Sequence, residues 1–166
     1  MKTMNSTILS QLINLTSQAG EIIMNLRANS ANYSIKTDNT PVTSADKASH
    51  ELIVNTLQKL TPDIPILSEE SSHIPFLTRQ SWNEYWLIDP LDGTRDFIDG
   101  SPDFCISIAL IRDKYPIFGL IYSPFNKTHY YRLENNSSIK LFNKTTFEIL
   151  TTKPKRWEKI VVGRYS

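Results

Sequence analysis

Apolar residues change their period once along this chain, close to Pro62, and that change constrains the fold more than any other feature. Upstream the spacing is helical. Ile8, Leu9, Leu12, Leu15, Ala19, Ile22, Ile23 and Leu26 line one stripe over residues 6–28, which predicts an amphipathic helix. Asn29, Ser30, Asn32, Asp38, Asn39 and Pro41 then read as a polar loop. A second helix is expected from Thr43, whose hydroxyl can cap it, with Asp46 three residues on in a capping-box arrangement. Its apolar stripe is Ala45, Ala48, Leu52, Leu57 and Leu60.

Downstream the pattern is that of strands. Short strands are expected at residues 64–67 and 85–88. Residues 104–111 alternate, with Phe104, Ile106, Ile108 and Leu110 on one face and Cys105, Ser107 and Ala109 on the other. Arg112-Asp113-Lys114 is a turn signal before an antiparallel return over residues 117–122. Residues 128–133, 139–141 and 147–150 continue the meander, and residues 159–162 form a last apolar run. Helices first and hairpin-linked strands after them predict an α+β fold, two N-terminal helices packed on a largely antiparallel, meandering sheet.

Composition removes several function classes. The longest uninterrupted apolar runs are only a few residues, such as 108–111, far short of a membrane span. The opening residues lead into a mixed helix and carry no secretory signal pattern. Cys105 is the single cysteine of the 166 residues, so neither an internal disulfide nor a zinc ribbon is available. A cytoplasmic protein is therefore the expectation. Residues 1–126 hold nine Lys and Arg against fourteen Asp and Glu, whereas residues 127–166 hold nine against three. In that basic end Lys127, Lys140, Lys144, Lys153, Lys155 and Arg156 sit among Asn, Ser and Thr, which reads as solvated turns and not as a surface for a nucleic-acid polymer.

Acidic residues collect where strands should end. Ile66-Leu67-Ser68-Glu69-Glu70 places two carboxylates after one strand, and Ile88-Asp89-Pro90-Leu91-Asp92-Gly93-Thr94 places two more after another. Pro90 is expected to force the chain out of the strand, so that Asp89 and Asp92 fold back toward one point. Thr94 is expected to cap a short helix running through Phe97, with its N–H groups toward an anion. Carboxylates converging without a nearby His or Cys repel one another unless a cation sits among them, and hard oxygen donors suit Mg²⁺. The chemistry implied is metal-assisted hydrolysis at a phosphate. Taken singly, Asp-Pro, Asp-Gly and Glu-Glu are ordinary turn and loop pairs. Their combination at two strand ends is far more specific.

Asp89-Pro90-Leu91-Asp92-Gly93-Thr94 resembles the signature of the inositol monophosphatase superfamily, Mg²⁺-dependent and lithium-sensitive phosphatases. Ser68-Glu69-Glu70 resembles its upstream acidic motif, and Lys36 with Pro41-Val42-Thr43-Ser44-Ala45-Asp46 resembles its first motif. Within the superfamily the chain is most similar to the CysQ-type 3'(2'),5'-bisphosphate nucleotidases. Arg95-Asp96 before Phe97-Ile98 stands where that type commonly has Lys-Glu.

The resemblance implies roles residue by residue. Glu69, Asp89 and the carbonyl of Leu91 would hold one Mg²⁺, and Asp89 with Asp92 a second, with Glu70 as a further ligand to an ion or water. Gly93 and Thr94 would meet the scissile phosphate through their amides. Glu69, Leu91 and Asp92 would border the substrate, and Lys36 would be a secondary phosphate contact. Asp46 with the Thr94 hydroxyl would orient and deprotonate water, with Glu69 completing the catalytic set. The implied substrate is adenosine 3',5'-bisphosphate, a by-product of sulfate activation. Inositol 1-phosphate hydrolysis and non-catalytic metal binding are the rival functions.

The resemblance also implies the first half of a layered αβαβα fold, with residues 1–157 as a metal-binding domain and residues 158–166 as the start of a second, truncated one. A Trp-Asp pair that completes the second metal site in the superfamily does not occur after Thr94. Weak Mg²⁺ binding and poor turnover by the 166-residue chain are therefore expected. Peripheral association with the inner membrane is a further expectation, by analogy alone.

Overall fold

The computed structural model describes residues 4–28, 33–35, 41–71, 74–133 and 138–149. The expected boundary at residue 157, the run at 159–162 and Lys36 lie outside them.

Helix α1 runs Ser6–Ala28. Asn5 starts it, its side-chain oxygen accepting from the Ile8 N–H at 2.9 Å. The buried stripe is Ile8, Leu12, Leu15, Ala19 and Ile23. Strands β1 (Tyr33–Ile35) and β2 (Pro41–Thr43) pair antiparallel, where a plain loop was expected. Helix α2 follows at Ser44–Leu60 with the predicted Thr43–Asp46 capping box. Its buried face is Ala45, Asp46, Ser49, Ile53 and Leu57. This face is rotated from the expected stripe: Ala48, Leu52 and Leu60 lie at its margins, half-buried.

Seven strands build the sheet, each bonded to the next in chain order: β3 (Ile66–Ser68), β4 (Glu84–Asp92), β5 (Cys105–Arg112), β6 (Tyr115–Ser123), β7 (Thr128–Leu133), β8 (Ser138–Phe142) and β9 (Thr145–Ile149). All neighbours are antiparallel except β3 and β4, which run parallel. A four-residue helix α3 (Phe76–Arg79) lies in the crossover between that pair, and α4 (Thr94–Ile98) leaves the end of β4. The β5–β6 turn uses positive φ at Asp113 (49°) and Lys114 (70°), a conformation that suits a tight hairpin.

Alternation gives the sheet two unlike faces. Trp86, Ile88, Ile106, Ile108, Leu110, Phe118 and Leu120 point toward α1 and α2 and form the core. The Trp86 indole N–H, buried in that core, donates to the Thr61 hydroxyl at 2.9 Å. Leu87, Ile121 and Tyr130 stay exposed on the opposite face. Gly20 lets α1 approach β6 closely, because a Cβ there would stand 2.5 Å from the Tyr122 ring. No described helix is long and apolar enough to cross a membrane.

His129 fastens α1 to the sheet. It is only 5% exposed and stacks on Tyr122 with ring centroids 4.1 Å apart. Its Nε2 lies 3.1 Å from the Thr16 hydroxyl, whose own proton is directed to the Leu12 carbonyl at 2.9 Å. Burial lowers its pKa from 6.5 to about 4. A pKa depressed on folding gives stability that is present above pH 6.5 and lost as pH falls toward 4. Chemical denaturation should therefore show a loss of about 2 kcal/mol between pH 7 and pH 4 attributable to this residue. His129→Phe should flatten that part of the profile, and an unchanged profile would contradict the burial account.

Candidate metal centre and water-activating pair

Asp46 links two distant parts of the chain. Its Oδ2 accepts the Thr43 N–H at 2.7 Å and also the Thr43 hydroxyl. Its Oδ1 lies 2.9 Å from the Thr94 hydroxyl, 48 residues further on. That hydroxyl also lies 3.1 Å from the Leu91 carbonyl, so one proton is shared between two acceptors. Asp46 is thus both the capping-box partner of Thr43 and a member of the candidate site, and it is 1% exposed.

Strand β4 brings the acidic residues. It does not stop at Pro90, as the proline suggests, but continues to Asp92 through a register shift: Asp89 faces Ser107, and the next pair is Asp92 with Cys105. Proline lacks a donor and is tolerated where the ladder is already interrupted. The Pro90 carbonyl finds its partner across the core, accepting from the Ser49 hydroxyl of α2 at 2.8 Å. The Leu91 N–H donates to Asp89 Oδ1 at 3.2 Å, which turns that carboxylate back along its own chain. Gly93 follows at φ 88°, and a Cβ there would stand 2.8 Å from the Asp103 carbonyl. Gly93, and not Thr94, is the N-cap of α4, and no side chain caps that helix. The Thr94 hydroxyl is occupied with Asp46 and Leu91 instead.

Glu69 arrives from the neighbouring strand. Its N–H donates to the Ile88 carbonyl at 3.0 Å, which extends the β3–β4 pairing by one residue and sets Glu69 beside Asp89. Burial raises the Asp89 pKa from 3.8 to about 7, with the charges of Glu69 and Asp92 and a hydrogen bond to Glu69 adding to the effect. Among the described residues, no three Asp, Glu, His or Cys side chains already stand at metal-binding spacing. Glu69 and Asp89 are in contact, and Asp92 acts on the pair at electrostatic range. Glu70, next in the chain, is half-buried. Cys105 is half-buried at this edge with its sulfur 3.8 Å from Asp92 Oδ2. Burial pushes its thiol up to about 11, with Asp92 and Asp89 adding to the shift, so it stays protonated beside the carboxylates. Of the residues expected at the site, Asp46, Thr94 and Leu91 meet directly, as do Glu69 and Asp89.

A family model described as the inositol monophosphatase family matches residues 4–160. The chain belongs to this family. It is 40% identical over 140 residues to the 3'(2'),5'-bisphosphate nucleotidase CysQ of Aggregatibacter actinomycetemcomitans, an alignment covering 84% of this chain and 52% of that protein. It is 43% identical over 132 residues to the protein of the same name from Salmonella typhimurium, covering 78% and 53%. The solved structure of CysQ from Bacteroides thetaiotaomicron superposes with a TM-score of 0.66 at 32% identity, over 84% of this chain and 51% of that one. The chain spans about half the length of the curated relatives it matches.

The inositol monophosphatase family therefore accounts for the helix layer on a mostly antiparallel sheet, and it gives the acidic edge a context. On the exposed sheet face a trough of about 900 Å³ opens beside the carboxylates, with Glu69, Asp89, Ser107, Ala109, Tyr130 and Arg132 among its lining. The donor set at its end is all hard oxygen, and burial, with the charges of Glu69 and Asp92 adding to it, holds the Asp89 pKa near 7. Those properties fit a divalent cation such as Mg²⁺, which would relieve the repulsion. The sign with pH follows. A carboxyl whose pKa rises on folding destabilises the fold increasingly as pH climbs from about 4 to 7. Without metal, Asp89→Asn should be more stable than the unsubstituted chain at pH 8 by about 1–2 kcal/mol, allowing for solvent screening, with little difference at pH 4. Urea unfolding at the two pH values checks this. Equal stabilities at pH 8 would remove the repulsion from the account.

Proposed function

We propose that this chain carries the metal-holding and water-activating part of a phosphoric monoester hydrolase, a Mg²⁺-dependent 3'(2'),5'-bisphosphate nucleotidase. It would remove the 3'-phosphate of adenosine 3',5'-bisphosphate to give AMP and phosphate. The observation that carries the reading is the Asp46–Thr94 hydrogen bond, held at the edge where Glu69 and Asp89 meet. The 40% identity to a curated nucleotidase favours the nucleotide over inositol phosphate as substrate.

Glu69, Asp89, the Leu91 carbonyl and Asp92 would hold Mg²⁺, with Glu70 as a further oxygen, and the ion would supply charge neutralisation at the phosphate and a more acidic water. The remaining work falls to the protein. The Thr94 hydroxyl directs its proton toward Asp46 Oδ1 and the Leu91 carbonyl, so its lone pairs can accept a hydrogen from an incoming water. A proton leaving that water passes through Thr94 Oγ1 to Asp46 Oδ1, a general-base relay. The Thr43 groups on Oδ2 keep the Asp46 carboxylate from rotating away. The Gly93 and Thr94 amides would meet the scissile phosphate, with Glu69, Leu91 and Asp92 bordering it and Lys36 as a secondary contact. Such a substrate, formed in sulfate activation, places the enzyme in the cytoplasm and in sulfur assimilation, and lithium would inhibit it.

Phosphate release from adenosine 3',5'-bisphosphate and from inositol 1-phosphate, each with Mg²⁺, tests the reading on the 166-residue chain. The nucleotide should be turned over about tenfold or more faster in kcat/KM, though below the rate of relatives twice as long. Asp46→Asn and Thr94→Ala should each lower kcat by about 10²-fold or more. Preference for inositol phosphate would reassign the substrate, and Mg²⁺ binding without turnover of either would make the chain a metal-binding module.

A further inference from the structure

Three residues of α2 reach the site from one helix face. Asp46, Ser49 and His50 are related by three and four positions, which places them side by side on the helix surface. Each grips a different segment. Asp46 holds Thr94 at the start of α4, and Ser49 holds the Pro90 carbonyl in the interrupted part of β4. The His50 Nδ1 lies 2.8 Å from the hydroxyl of Ser68, the last residue of β3. Asp46 and Ser49 are wholly buried, and Ser68 is nearly so.

Ser68 immediately precedes Glu69, and the backbone around it is tied down. The Glu69 N–H is fixed on the Ile88 carbonyl at 3.0 Å, and the Ser71 N–H closes the following turn on the Ser68 carbonyl at 3.1 Å. Those bonds fix the height of Glu69 along β4. A roll of the turn about the strand axis would swing the Glu69 carboxylate toward or away from Asp89. The His50–Ser68 hydrogen bond opposes that roll, because it anchors the Ser68 side chain to a helix that is itself locked to the Asp89-to-Thr94 segment through Asp46 and Ser49.

We propose that His50 is a positioning residue: through Ser68 it sets the Glu69 carboxylate against Asp89, so that α2 serves as the common frame for the divalent-cation ligands. The inference rests on the reading of this edge as a cation site. It assigns His50 no contact with metal or substrate. Its effect should appear in cation affinity and not in the stability of the metal-free fold, because hydrogen bonds elsewhere on the helix hold α2 in place.

Calorimetric titration of the full 166-residue chain with MgCl₂ tests it, using His50→Ala, Ser68→Ala, the double variant and His50→Asn. Asparagine can place a side-chain amide close to where Nδ1 stands. His50→Ala and Ser68→Ala should each weaken Mg²⁺ binding about five- to tenfold, the double variant no more than either alone, and His50→Asn should recover most of the loss. Midpoints of thermal unfolding without metal should stay within about 3 °C of the unsubstituted chain. Unchanged Mg²⁺ affinity in both single variants, with the unsubstituted chain binding normally, would overturn the positioning role alone. Additive losses in the double variant would overturn the pairing. No binding by the unsubstituted chain would overturn the cation site and this inference with it.

Discussion

The arrangement depends on one buried carboxylate shared between two structural duties. Asp46 closes the first turn of α2 through the Thr43 backbone and hydroxyl, and with its other oxygen it holds the Thr94 hydroxyl. The third residue of a capping box ordinarily serves only the N-cap it faces. Here Asp46 also joins the helix layer to the end of β4. The helix therefore cannot shift without moving the end of β4 and Gly93 after it. Ser49 adds a second tie in the same direction, on the carbonyl of the proline that interrupts the ladder.

Much of this is readable in the sequence, for physical reasons that differ by element. Helix α1 and strand β5 each bury one face, so their apolar periods survive intact in the sequence. The start of α2 was visible because a cap needs particular side chains at particular offsets. Its buried face was legible only at Ala45 and Leu57, because Asp46 and Ser49 sit inside to make hydrogen bonds while apolar Leu52 lies at the margin. Hydrophobic spacing cannot report a face buried for polar reasons. The same limit hid the β1–β2 pair, whose flanks are rich in Asn and Ser.

Pro90 gave the most instructive difference. Its missing N–H predicts the end of a strand, yet β4 runs on to Asp92 because the register shift leaves no ladder bond for Pro90 to break. Thr94 likewise reads as a cap, whereas its hydroxyl is directed at Asp46 and Gly93 takes the cap position at positive φ. Asp46, Glu69, Asp89 and Thr94, the residues proposed for the site, were legible because their order and spacing match a family motif. Ser49 and His50 were not, since nothing local marks a helix serine or histidine as the partner of a strand end 41 or 18 residues away.

These contacts force negative charge together at a sheet edge. Glu69 is set beside Asp89 by strand pairing, Asp92 follows three residues later, and partial burial of Asp89 withholds water from that carboxylate. A fold that held these groups so close would be poorly served by them unless a cation completed the site. Carbon-13 NMR titration of the Asp89 carboxyl, with and without Mg²⁺, addresses this most directly. The account predicts a midpoint near 7 in the metal-free chain, falling by two or more pH units (about a hundredfold in proton affinity) when Mg²⁺ is added. A midpoint near the ordinary 3.8, unmoved by Mg²⁺, would contradict it.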